Sequence, residues 1–203
     1  MTVEARDRIT VPPLLEDLTG QRSARRWRFK ALEEISSIDN INKIVEIRLD
    51  PPGFITHAAL LESIGKWLKG FEVYGKRPTV VLTIPDSDLL RDAHTSLASV
   101  GLSAYARHSR ELLGIMAMGF PSDRRIKGEP DGVIGSLGVT DWEALQLLRQ
   151  RGTVVSRDLQ ARDTIAMPGI NNRLARLWHA GLVDRSFRPG KTPDIFGYPF
   201  RTT

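Results

Sequence analysis

Three short apolar runs, "KIVEIRLD" (43–50), "PTVVLTIP" (78–85) and "SAYAR" (103–107), follow one another at intervals long enough for a helix. The first alternates, with Ile44, Glu46 and Arg48 on one side and Val45, Ile47 and Leu49 on the other, which is the period of a strand. The second is β-branched throughout and reads as a buried strand. Between them, "THAALLESIGKWLKGFEVYG" sets Leu60, Ile64, Trp67 or Leu68, and Phe71 on one helical stripe, stopped near Gly70 or Gly75. "DSDLLRDAHTSLASVG" begins with the caps Asp86 and Ser87, turns Leu89, Ala93, Leu97 and Val100 inward, and ends at Gly101. Strands separated by helices of this length pair in parallel, so the run after Lys43 predicts an α/β domain of about 100 residues with a helix-covered sheet. Upstream, "RITVPPLL" (8–15) reads as a short edge strand ended by two prolines, and "RSARRWRFKALEEISSI" (22–38) as a helix. "HSRELLGIMAMG" reads as the last helix of this part.

The stretch from Met118 to Gly138 breaks the pattern with Gly119, Pro121, Gly128, Pro130, Gly132, Gly135 and Gly138. It predicts domains at 1–119 and 138–203 joined by a linker at 120–137. The last part reads differently from the first. Thr140 and Glu143 make a capping box for a helix with Trp142, Leu145 and Leu148 inward. Ser156 caps a short second helix that runs to about Ala161. "AMPGINNRLARLWHAGLVDR" (166–185) is a third, with Ile170, Leu174, Leu177 and Leu182 inward. Two short strands follow around a turn containing Pro189, Gly190 and Lys191. Three helices and a hairpin in about 65 residues is the order of a winged helix-turn-helix.

Charge is unevenly placed. The formal net charge is +5; residues 133–203 carry 10 Lys and Arg against 6 Asp and Glu, and residues 1–132 carry 19 against 18. An excess gathered in the last third points to a polyanion partner. In a winged helix the third helix enters the major groove by its amino-terminal half. Asparagine pairs with adenine edges and arginine with guanine edges. Asn171, Asn172, Arg173 and Arg176 are therefore the candidate base readers, and Gly169 allows close backbone approach at the helix start. Arg157 and Arg162 are candidate phosphate contacts, with Arg185, Arg188 and Lys191 on the wing. Trp142 and Trp178 lie near apolar stripes and read as core.

The chain has no cysteine, which removes disulfides and thiolate chemistry and fits a reducing cytoplasm. No apolar run approaches the ~20 residues of a membrane span, and the start has no secretory h-region. The four histidines have no metal spacing, and "GVIGSLG" (132–138) matches neither the dinucleotide nor the P-loop fingerprint. The expectation is a non-enzyme without cofactor or metal.

The pattern Ile170, Asn171-Asn172, Leu174, Leu177 and Gly181-Leu182-Val183 resembles the MarR-type winged-helix family over about 65 residues. The first part resembles the STAS-like domains of bacterial regulators, through "RSARRWRFKALEEI", "VEIRLDPPGFITHAALLESIGKWLKG" and "GKRPTVVLTIPDSDLLRDAHTSLASVGL". It departs from that pattern in lacking the Asp-Ser-Ser-Gly-like run; Thr56 and His57 stand there, so Thr56 is either a phosphorylation position or a helix cap. Together the resemblances imply a cytoplasmic bacterial transcriptional regulator that binds double-stranded DNA as a homodimer. Its α/β domain would serve dimerisation, sensing or a regulatory protein partner. The alternative is a protein-interaction module in a partner-switching or anti-phage assembly, whose winged helix binds protein.

Overall fold

A computed structural model describes residues 7–11, 20–35, 42–49, 55–121, 126–160, 167–186 and 194–201. The chain is an α/β protein with a six-stranded mixed sheet, a separate three-stranded sheet and several helices. Strands β1 (Arg8–Thr10), β2 (Ile44–Arg48), β3 (Thr79–Thr83) and β4 (Ser103–Arg107) lie side by side in chain order and pair in parallel. The connecting helices are α1 (Gln21–Trp27), α2 (His57–Leu60), α3 (Lys66–Gly70) and α4 (Ser87–Ser99). A π-helical turn prolongs α1 over Arg28–Leu32, and another joins α2 to α3 over Leu61–Gly65. These helices bury one face of the sheet. Val45, Ile47, Leu49, Val80, Leu82, Ala104 and Ala106 pack there against Leu60, Ile64, Trp67, Leu90 and Leu97. The alternation expected of "KIVEIRLD" is the one observed.

The segment expected to be a linker is part of the sheet. After α5 (Arg110–Met116), strands β5 (Met118–Gly119) and β6 (Gly132–Gly135) add to the edge, with β6 antiparallel to β4 and β5 antiparallel to β6. Phe120, Val133 and Ile134 are buried. The glycines that read as chain breakers permit close backbone packing: at Gly135, φ is +96° and a Cβ would sit 2.2 Å from the Leu102 carbonyl oxygen.

The rest of the chain forms α6 (Val139–Arg151), β7 (Thr153–Val155), α7 (Ser156–Gln160), α8 (Met167–His179), β8 (Asp184–Ser186) and β9 (Ile195–Gly197). The three strands form an antiparallel sheet in the order β7-β9-β8. Two expected caps differ. Helix α6 begins at Val139 on Gly138, which leaves Thr140 inside the first turn and no side-chain cap. Ser156 donates to Asn171 Oδ1, and Asp158 accepts the Val155 N–H at 2.9 Å.

This carboxyl-terminal unit covers the second face of the large sheet. Ile44, Val81, Tyr105, Phe120 and Val133 share one core with Leu145, Leu148, Leu174, Leu177, Leu182, Val183 and Phe196. Tyr105 lies among Phe120, Tyr198 and Phe200, at 4.8 Å centroid distance from Phe200. A buried ion pair ties the turn before β6 to α6: Arg149 donates to Glu129 through Nε at 3.0 Å and Nη2 at 2.7 Å, with its guanidinium over the Phe120 ring. Arg107 holds the same turn from the sheet, donating to the Gly128 and Glu129 carbonyls at 2.8 and 2.9 Å. Among the described residues, no helix is long and apolar enough to cross a membrane.

Candidate functional site

Helix α8 owes its position to its apolar stripe. Ile170, Leu174 and Leu177 are buried in the second core. Its carboxyl end is fastened to the large sheet. The Thr79 hydroxyl donates to the Gly181 carbonyl at 2.8 Å, and the Tyr105 hydroxyl to the Leu182 carbonyl at 2.5 Å. The Arg77 N–H donates to the His179 carbonyl at 3.1 Å, and the His179 ring bonds the Gly75 carbonyl through Nδ1. The Gly-Leu-Val step that resembles the winged-helix pattern is, in this chain, the docking point of one half on the other.

The opposite face of α8 is open. Pro168, Gly169, Asn171, Asn172, Arg176 and His179 are exposed, and Ala175 is half-buried. Arg173 is not among them. Only 5% of it is exposed. It stands three residues after Ile170 and four before Leu177, in the middle of the buried stripe, and helical spacing carries it inward with them. Arg173 lines a groove of about 410 Å³ with Trp142, Gln146 and Leu159. The expectation that it faces outward as a base reader is corrected by that burial.

Several of the other expected residues are engaged. Arg176 makes a two-pronged pair with Asp141 of α6, Nε to Oδ2 at 3.1 Å and Nη2 to Oδ1 at 2.7 Å. That carboxylate holds the guanidinium proton above the ordinary arginine value, against an opposing effect of burial. Arg185, on β8, pairs with Asp194 through Nε at 2.7 Å and through Nη2, and lies over the Trp178 ring. Asn171 accepts from Ser156 and thereby fixes α7 against α8. Asn172 is exposed on α8, and Arg157 is exposed on α7. Arg162, Arg188 and Lys191 lie outside the described residues. Thr56 caps α2, its hydroxyl accepting the Ala59 N–H at 3.2 Å.

The structure thus brings Arg157, Gly169, Asn171, Asn172 and Arg176 to the exposed surfaces of two successive helices. Trp142 stacks on Phe120 at 5.0 Å and 19°, and Trp178 packs against the second core. Sequence reasoning missed Asp141 as the partner of Arg176; the 35-residue separation leaves no local signal. Among the described residues, no group of three or more His, Asp or Glu is placed to hold a metal ion. Comparison with family models, with curated proteins and with solved structures returns no match.

Proposed function

We propose that the chain is a sequence-specific DNA-binding transcriptional regulator. On this reading α6 to β9 is a MarR-like winged helix, α8 is its recognition helix, and the residues around 187–193 are its wing. The α/β half would be a STAS-like platform for dimerisation, sensing or a protein partner, in a cytoplasmic bacterial protein. The observation that carries the reading is the open outer stripe of α8 beside a β7-β9-β8 sheet, with Gly169, Asn172 and Arg176 outward and Arg157 exposed on the preceding helix. A helix presenting asparagine and arginine from one face, with its amino end uncovered, has the chemistry of major-groove readout. A homodimer would double a contact that one helix makes with only a few base pairs.

The test is an anisotropy titration of the full chain against a labelled random duplex pool, at low and raised salt. Affinity should fall steeply with salt, because phosphate contacts release counterions. Arg157→Ala should weaken binding to all sequences alike. Asn172→Ala should weaken it by about 1–3 kcal/mol and change the sequences selected from the pool. Wild type that binds no duplex at low salt refutes the reading.

One observation favours the second reading, a winged helix that binds protein. Arg176 and Arg185 are each neutralised by a carboxylate, Asp141 and Asp194, which breaks the positive stripe a phosphate backbone would follow. Asp141→Asn and Asp194→Asn separate the two: they should strengthen binding to DNA and weaken binding to a protein that reads the alternating charges.

A further inference from the structure

A cleft of about 380 Å³ lies where the carboxyl end of α8 meets the edge of the large sheet. Its polar lining comes from five segments: Arg77 before β3, Ser103 on β4, Ser136 after β6, Asp141 on α6, and Arg176 and His179 on α8. Leu137, Leu177 and Ala180 give it an apolar wall. Two guanidiniums face one carboxylate, and both oxygens of that carboxylate are already taken by Arg176. The Ser103 hydroxyl is also committed, donating to the Ser136 carbonyl at 2.8 Å. Arg77 is different. Its side chain is 14% exposed and its Nη2 reaches Glu72 at 3.0 Å, but its Nε is shielded from water and has no hydrogen-bond partner among the described residues. A charged donor buried without an acceptor is a standing cost, relieved by any acceptor that enters.

The neighbouring backbone asks for the same chemistry. Helix α6 starts at this cleft on Gly138, in extended conformation and with no side-chain cap, so its first-turn N–H groups have no side-chain acceptor. A Cβ built on Gly138 would meet nothing within 4 Å, so the space before those groups is empty of protein. What the cleft lacks is a compact acceptor with several oxygens and a short apolar part.

We propose that this cleft is a binding site for a small organic oxyanion, a phosphate ester or a carboxylate, held by Arg77 Nε and the first-turn N–H groups of α6 and facing Arg176 and His179. The ligand would sit against the last turn of α8 and compete with Asp141 for Arg176, so its occupancy alters the charge that α8 presents. That consequence rests on the DNA reading; the binding itself does not.

The experiment is chemical-shift mapping on the isotope-labelled full chain, with phenyl phosphate, inorganic phosphate and butyrate as probes. Saturable shifts centred on the amides of residues 101–103, 136–141 and 176–180 support the site, and the tighter of phenyl phosphate and butyrate identifies the oxyanion. Arg77→Gln should weaken binding about tenfold. Val139→Pro provides a variant that keeps the helix, because proline is favoured at the first helical position and the extended Gly138 suits it. It deletes one N–H and should weaken binding several-fold. Shifts that do not saturate, that spread over the basic surface, or that survive both variants overturn the proposal. A chain that binds no duplex but still shows the mapped shifts refutes the DNA reading and leaves this site standing.

Discussion

Replacing Gly181 by alanine tests whether the two halves of the chain form one body. Gly181 has φ +75°, a region that costs an L-residue about 1–2 kcal/mol. The larger effect is steric. A Cβ there would sit 2.3 Å from the Pro78 carbonyl oxygen and 2.8 Å from that of Arg77, both backbone atoms at the entry to β3. Neither can swing aside as a side-chain tip would. The 180–182 segment must lift from the sheet, which strains or breaks the Thr79 bond to Gly181 and the Tyr105 bond to Leu182. A buried polar group that loses its partner costs about 1–3 kcal/mol. Conformation and lost bonds together give roughly 4 kcal/mol, or about 8–16 °C of Tm for a chain of this size. Gly101→Ala is the control: φ is +70° and a Cβ meets nothing within 4 Å, so it should lose only the conformational part, about 1–2 kcal/mol. The assay is thermal and urea unfolding followed by near-UV circular dichroism. Equal losses in the two variants would refute the close docking of Gly181.

Three further outcomes follow from the packing. Glu129→Gln leaves the Arg149 guanidinium, 3% exposed, without its counter-charge and should destabilise by about 3–5 kcal/mol in urea titrations. Arg173→Ala should destabilise by about 1–2 kcal/mol through lost packing of its stem, whereas the exposed Asn172→Ala should be near neutral; the same melts compare the two. His94 Nδ1 accepts the Gly135 N–H at 3.2 Å, and burial pulls the imidazole below its ordinary 6.5. Because the folded value lies below the unfolded one, this contribution is complete above about pH 6.5 and is lost as pH falls through the folded value. The Tm should therefore drop on acidification below pH 6.5, and His94→Gln, whose amide oxygen can take the same bond, should flatten that part of the profile.

The parallel strands were legible because burial on both faces demands β-branched runs, as in "TVVLT", and the helices between them keep strict apolar spacing. Strand β6 was not legible. It offers only Val133 and Ile134 as buried side chains, and its glycines serve close backbone contact as readily as a loop. Strand β7 is three residues long and buries fully only Val154. Arg173 was legible in principle, since its spacing from Ile170 and Leu177 puts it on the buried stripe; residue type argued for the outer face and geometry decided. The pairs Arg176–Asp141 and Arg185–Asp194 join residues that only the tertiary fold brings together, 35 and 9 positions apart.

The shared core limits how any signal reaches α8. Ile44, Val81, Tyr105 and Val133 are buried under the carboxyl-terminal unit. Exposing each would cost about 1.5–3 kcal/mol, so parting the halves costs on the order of 6–12 kcal/mol, as much as the whole net stability of a typical domain. A hinge that swings the carboxyl-terminal unit off the sheet would therefore unfold it. Regulation must act through the joints that remain closed: the step from β6 to the first turn of α6, and the seat of Gly181 on β3. Both joints border the cleft between Arg77 and Arg176, so a ligand there touches each without opening the core. The corollary is a single cooperative unfolding transition seen alike by probes in the two cores; two separable transitions would restore a linker and remove the argument.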